Sequence, residues 1–169
     1  MAVELRPAQP GDARLLADSL RAADRAEVLA SDGLDPLAAL QRSLALSSEA
    51  YLGLVNGQPA ALLGVRRISL SSDHGIPWLL TGVAVEQAPL SFLRASRSVV
   101  AVWRRDYASL SNWVDARHET AKRWLAWLGF TLGPARPYGV AGLPFHPFHL
   151  EGPLMSSVTR PSPPDREQG

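Results

Sequence analysis

His118-Glu119-Thr120-Ala121-Lys122-Arg123-Trp124-Leu125-Ala126-Trp127-Leu128-Gly129-Phe130 is a helix with its own stop written into it. Ala121, Leu125 and Leu128 recur four and three apart, which gives one apolar stripe. Gly129 stands where a left-handed C-cap belongs, so the chain turns there and Phe130 opens a new segment. From Phe130 to Leu150, Gly and Pro occur throughout, which predicts short strands joined by turns. Just before the helix, Asn112 to Ala116 predicts a short strand.

Further upstream, Trp78 to Val85 is an unbroken apolar run, long enough for a central strand, entered from a polar loop at Ser71 to Pro77. Glu86-Gln87-Ala88-Pro89 then opens a long helix with Phe92, Ser96, Val99 and Trp103 on one face. Arg94, Arg97, Arg104 and Arg105 fall on or near the other face. Tyr51 to Val55 and Ala60 to Ile68 are strand-like and are separated by Asn56-Gly57, a tight-hairpin dipeptide. Gly11-Asp12 opens a helix that carries Leu16, Leu20 and Ala23 and runs to about Ala30, closed by Ser31-Asp32-Gly33. Asp35-Pro36 caps a second helix bearing Leu37, Leu40 and Leu44. This order predicts an α/β (α+β) class fold, with a mixed central sheet and helices on both faces. Residues 1–154 form its single domain, and the Ser, Pro and charged residues of 155–169 are expected to be a disordered tail.

With 169 residues the chain can bury roughly 70% of its unfolded surface and needs neither disulfides nor metals to fold. It has no cysteine, which excludes a thiolate zinc site, an iron–sulfur cluster and a cysteine nucleophile. Seventeen basic against sixteen acidic residues leave a net charge of +1, too little to draw the chain to nucleic acid or to an acidic membrane. No apolar stretch approaches a membrane span, and the N-terminus has no signal-like run, so a cytoplasmic place is expected.

The order of elements and the stretch 118–130 resemble the GNAT superfamily of acetyl-CoA-dependent N-acyltransferases over roughly residues 3–150. In that superfamily Asn, then Ala, then Tyr, then Gly-Phe close the fourth helix. Here His118 stands for the Asn and Leu125 for the Tyr. More narrowly, residues 21–28, 113–117, 123–130 and Pro137-Tyr138-Gly139 resemble the internal virion (internal core) protein A family of autographivirus-type short-tailed phages. That resemblance implies a virion or assembly protein, with phage proteins as partners, in the host bacterial cytoplasm and the virion interior.

The superfamily resemblance also implies three chemical needs. The first is a pyrophosphate cradle, in which Gln or Arg and two spaced glycines bring backbone N–H groups at a helix N-terminus to the phosphates. The matching stretch is Gln87-Ala88-Pro89-Leu90-Ser91-Phe92, where Leu90 and Phe92 take the glycine places and Pro89 has no N–H. Contacts left for coenzyme A are the strand backbone at Val83 and Val85, with Gln87, Arg94 and Arg97. The second need is a general acid, which Leu125 cannot be and for which Tyr138 is the candidate. The third is a general base, for which His74, beside Asp73, and His118 are candidates. His146 and His149 lack an acidic or thiolate partner nearby, so no metal is expected.

The expected function is therefore a non-catalytic GNAT-like virion protein with no cofactor. Two alternatives stand beside it: a divergent N-acetyltransferase using acetyl-CoA on a protein or small amine, and a nucleic-acid contact through the arginine face, the weaker of the two. Trp113, Trp124 and Trp127 are the candidate anchors of a protein interface.

Overall fold

The computed structural model describes residues 2–153, so the tail expected at 155–169 lies outside the described residues. β1 (Val3–Pro7) is followed by α1 (Asp12–Ala17), α2 (Ala22–Asp32) and α3 (Pro36–Leu46). Then come β2 (Glu49–Val55), β3 (Gln58–Arg67), β4 (His74–Thr81), α4 (Pro89–Asp106), β5 (Ser109–Asp115) and α5 (Glu119–Leu128). β6 (Thr131–Leu132), β7 (Arg136–Tyr138) and β8 (Leu143–Glu151) close the order. The sheet runs β1-β2-β3-β4-β5-β8-β6, with β7 also on β8. Every described pairing is antiparallel except β4 with β5. The expected α/β architecture with helices on both faces is what forms.

Local chemistry explains most boundaries. Asn56 and Gly57 both take positive φ, 51° and 77°, as a tight hairpin with the strands' own twist requires. The Asp35 carboxylate accepts the Ala38 N–H at 2.9 Å with Pro36 in the first turn, and Gly129 caps α5 at φ 99°.

Two expectations are corrected. The single helix expected from Asp12 to Ala30 is two, because the chain breaks at Asp18 to Arg21 and Leu20 forms a bridge to Gly82. Arg25 holds the break by donating from Nε to the Leu20 carbonyl and from its terminal nitrogen to the Ala17 and Asp18 carbonyls. The central strand begins at His74 and ends at Thr81, not at Val85, and Val83–Gln87 winds into a 3₁₀ turn. Gly82 N–H still donates to Ala60, but the Val85 N–H turns back to the Gly82 carbonyl.

The core has two parts. Leu63, Val65, Phe92, Val99, Trp103, Leu110 and Val114 pack under α4 and α5. Leu16, Leu20, Leu40, Leu52, Leu62 and Leu80 pack under α1, α2 and α3. Between the two lies the sheet, and at one place the sheet is open.

Candidate functional site

That place is the seam of β4 and β5. The strands pair only at His74↔Ser109 and Gly75↔Leu110. Pro77 comes next in the phase that faces β5 and has no N–H to give, so the backbone ladder stops there. Its carbonyl takes the Asn112 side-chain amide instead, at 2.8 Å. By the same alternation Leu79 turns its N–H and C=O into the widening gap.

At the wide end α2 reaches into the gap and joins both strands. Thr81 donates its N–H and its hydroxyl to the Asp24 carboxylate, each at 2.9 Å, and the Thr81 carbonyl accepts the Arg21 N–H. On the far strand the Asp115 N–H donates to Glu27 Oε2 at 2.9 Å. His118 Nε2 lies 3.5 Å from Asp24 Oδ2.

A cavity of about 230 Å³ runs through this opening. Leu79, Trp103, Val114, Trp124 and Leu125 line its α4–α5 side. Asp24, Glu27, Asp32, Trp78, Trp113 and Tyr138 line its other side. Burial pushes the Glu27 carboxyl up to about 7, only partly opposed by the Asp115 N–H and by His118. A group held there is ionised and protonated in comparable amounts near neutral pH, as a proton acceptor should be.

The sequence-predicted residues divide. Tyr138 does line the cavity, stacked on Trp113 with centroids 4.5 Å apart. Burial, with Asp32 nearby, raises its phenol above the ordinary value and keeps it protonated. Gly139 makes this placement possible: its φ is +74°, and a Cβ there would sit 2.6 Å from Ser31 Cα. The next turn donates from Val140 and Ala141 to the carbonyls of Ser31 and Ala30.

His118 is at the site but as a cap. Its Nδ1 accepts the Ala121 N–H at 3.3 Å, which leaves Nε2 to carry the proton toward Asp24. His74 lies at the narrow end, outside the cavity lining, with its two ring nitrogens on Ser109 Oγ and Ser111 Oγ. It is a clasp between β4 and β5 and not a base in the cleft.

The expected coenzyme contacts are placed otherwise than expected. Val83 and Val85 lie in the 3₁₀ turn, and their N–H groups go to Ser19 and Gly82. Gln87, Arg94 and Arg97 are exposed outside the cavity lining, and Arg97 lies over the Trp127 ring at 5.0 Å. Trp127 is 45% exposed, whereas Trp124 lines the cavity against Phe92. His146 and His149, three apart on β8, point to opposite faces, and His146 Nδ1 is hydrogen-bonded to the Gly133 carbonyl. No helix among the described residues is long and apolar enough to cross a membrane.

Sequence reasoning singled out neither Glu27 nor Asp24. Both stand in a stretch, Ala22-Ala23-Asp24-Arg25-Ala26-Glu27-Val28, that reads as an ordinary amphipathic helix. Their spacing of three, which puts two carboxylates on one helix face, was the signal available.

No family model matches the sequence, and no curated protein matches it. Solved structures do match. A spermidine N-acetyltransferase chimera from Vibrio cholerae and hSSAT superposes with a TM-score of 0.65 at 10% identity, covering 89% of this chain and 95% of its own. An acetyltransferase of the GNAT family from Streptococcus pneumoniae gives 0.60 at 15% identity, covering 89% and 99%. The aminoglycoside acetyltransferase AAC(6')-Ib, in complex with ribostamycin and coenzyme A, gives 0.67 at 15% identity, covering 96% and 100%. These likenesses correct the expected function. All three are acetyltransferases, one of them holds coenzyme A, and none of the three is a virion protein. They lend nothing to an internal virion family, to a virion interior or to a function without cofactor. The chain has the GNAT acetyltransferase fold.

Proposed function

We propose that this chain is an N-acetyltransferase that takes the acetyl group from a coenzyme A thioester and passes it to a small cationic amine. The observation that carries this reading is Glu27, a carboxyl pushed up to about 7 at the opening between two splayed parallel strands. The amine side of the cavity also holds Asp24, Asp32, Trp78, Trp113 and Tyr138. Carboxylates and aromatic faces together suit an ammonium group.

The thioester supplies an activated acetyl carbonyl. Glu27 takes the proton from the acceptor ammonium, which frees the nitrogen lone pair for attack. Asp115 N–H fixes Glu27 Oε2, and Asp24 ties α2 to β4 so that Glu27 faces the gap. As the C–S bond breaks, Tyr138, held protonated, gives its proton to the leaving thiolate and takes the second proton from the acylated nitrogen, so that Glu27 keeps the one proton released overall.

The pantetheine arm of coenzyme A fits the residues present. Leu79 turns backbone groups into the gap, and the buried Trp103 Nε1–H, on a side chain that lines the cavity, has no partner among the described residues. The nucleotide end fits poorly, since the helix that should cradle the pyrophosphate begins with Pro89.

Calorimetric titration with acetyl-CoA tests the reading, followed by thiol release in the presence of primary amines such as spermidine. Saturable heat and amine-dependent thiol release are expected. No heat up to about 1 mM acetyl-CoA overturns the proposal.

A further inference from the structure

The nucleotide end of the donor meets a surface unlike the one that the superfamily resemblance implies. Three observations bear on it. Four of the backbone N–H groups after β4 are already used: Gly82 donates to Ala60, Val83 to Ser19, Val85 to Gly82 and Ala88 to Val85. α4 then starts at Pro89, which has no N–H, and Phe92 N–H already returns to the Ala88 carbonyl. Only the N–H groups of Leu90 and Ser91 remain in that first turn, beneath a Leu90 side chain that is 65% exposed. Finally, the Glu86 carboxylate, itself 63% exposed, sits in the 3₁₀ turn just before α4 and is held by Arg21 Nε at 3.2 Å. It places a negative charge before the N-terminus of α4, where two phosphates would have to approach, and it engages the Arg21 guanidinium.

The arm's side of the site is built in the opposite sense. The seam beyond Gly75 is open, and Leu79 turns its backbone N–H and C=O into it.

Resting on the thioester-dependent reading above, we infer that this protein recognises its acyl donor through the pantetheine arm and not through the nucleotide diphosphate. A pantetheine thioester without the nucleotide is then as good a ligand as acetyl-CoA. The donor class is set by the gap between β4 and β5, and the surface at Val83 to Ser91 contributes nothing to affinity.

Three titrations of the full chain test this by calorimetry: acetyl-CoA, S-acetylpantetheine, and adenosine 3′,5′-diphosphate alone. Expected are dissociation constants for the two thioesters within fivefold of each other and no saturable heat with the diphosphate below about 1 mM. Arg94→Ala, on the exposed face of α4, should leave the acetyl-CoA constant unchanged within twofold. Acetyl-CoA binding more than fivefold tighter than S-acetylpantetheine, or saturable binding of the diphosphate, overturns the inference and leaves the acetyltransferase reading standing. Failure of both thioesters to bind overturns the acetyltransferase reading itself, and the inference with it.

Discussion

Thr81 gives both its backbone N–H and its hydroxyl to the carboxylate of Asp24, fifty-seven residues earlier, at 2.9 Å each. The pair is buried and fastens α2 to the last residue of β4, where that strand has parted from β5. Everything the site does depends on this fastening, because Glu27 lies one turn further along α2 and reaches β5. The gap is thus kept open by Pro77 at its root and bridged by side chains at its mouth.

Asp24→Ala should therefore be severe. It leaves two Thr81 donors and the His118 Nε2–H without their acceptor in a buried place. A loss of about 3 kcal/mol is expected from urea unfolding, with a smaller loss for Asp24→Asn, which keeps one carbonyl acceptor. A change under about 1 kcal/mol for the alanine variant would show that the clasp is not structural.

Glu27 carries a pH signature of definite sign. Its carboxyl is raised in the fold from 4.5 to about 7, so between these values the folded state binds more protons than the unfolded. Stability then falls as pH rises through that window, by up to about 3 kcal/mol. Glu27→Gln keeps an acceptor for the Asp115 N–H and removes the titration. The difference between the two proteins' unfolding free energies should grow from pH 4.5 to 7 and level off above. A flat difference would place the Glu27 carboxyl in its ordinary range.

The same substitution separates catalysis from folding. Acetyl transfer should rise with pH up to about 7 in the natural chain, and Glu27→Gln should lower kcat by roughly 10²-fold or more with little change in acetyl-CoA affinity. An unchanged kcat would remove Glu27 from the proton path.

Gly139→Ala tests how Tyr138 is held. A left-handed φ of +74° and a Cβ 2.6–2.7 Å from Ser31 and Ala30 allow only glycine. About 2 kcal/mol of stability should be lost, with weaker stacking of Tyr138 on Trp113 seen in near-ultraviolet circular dichroism. An unaltered thermal midpoint would mean that the turn docks on α2 loosely.

Leu90→Gly and Phe92→Gly, which look equivalent as restored glycines of a phosphate loop, should differ sharply in their cost. Leu90 is 65% exposed and costs at most about 1 kcal/mol of helix propensity. Phe92 is fully buried against Gly53 and Trp124, so its loss should cost 3 kcal/mol or more, roughly, in a thermal or urea melt. Equal effects would show that the first turn of α4 is not packed as described.

The sequence by itself determined the elements whose causes are local. The Asn56-Gly57 turn, the Asp35-Pro36 cap, the Gly129 stop and the stripe Phe92, Ser96, Val99, Trp103 each act within one or two turns of chain, and each formed as read. The layered fold followed from their order. Tertiary structure alone decided the site. Asp24 meets Thr81 across fifty-seven residues and Glu27 meets Asp115 across eighty-eight, and a residue's burial, which moves the Glu27 proton affinity, has no signature in its neighbours. The end of β4 was likewise out of local reach. Trp78 to Val85 is apolar but for Thr81 and Gly82, and where the strand stops is set by distant partners: the bridge from Leu20, the hold of Arg21 and Asp24 on Thr81, and the hydrogen bond from Val83 to Ser19. Hydrophobicity says that a segment is buried; which backbone groups find partners, and from where, is settled by the elements that pack against it.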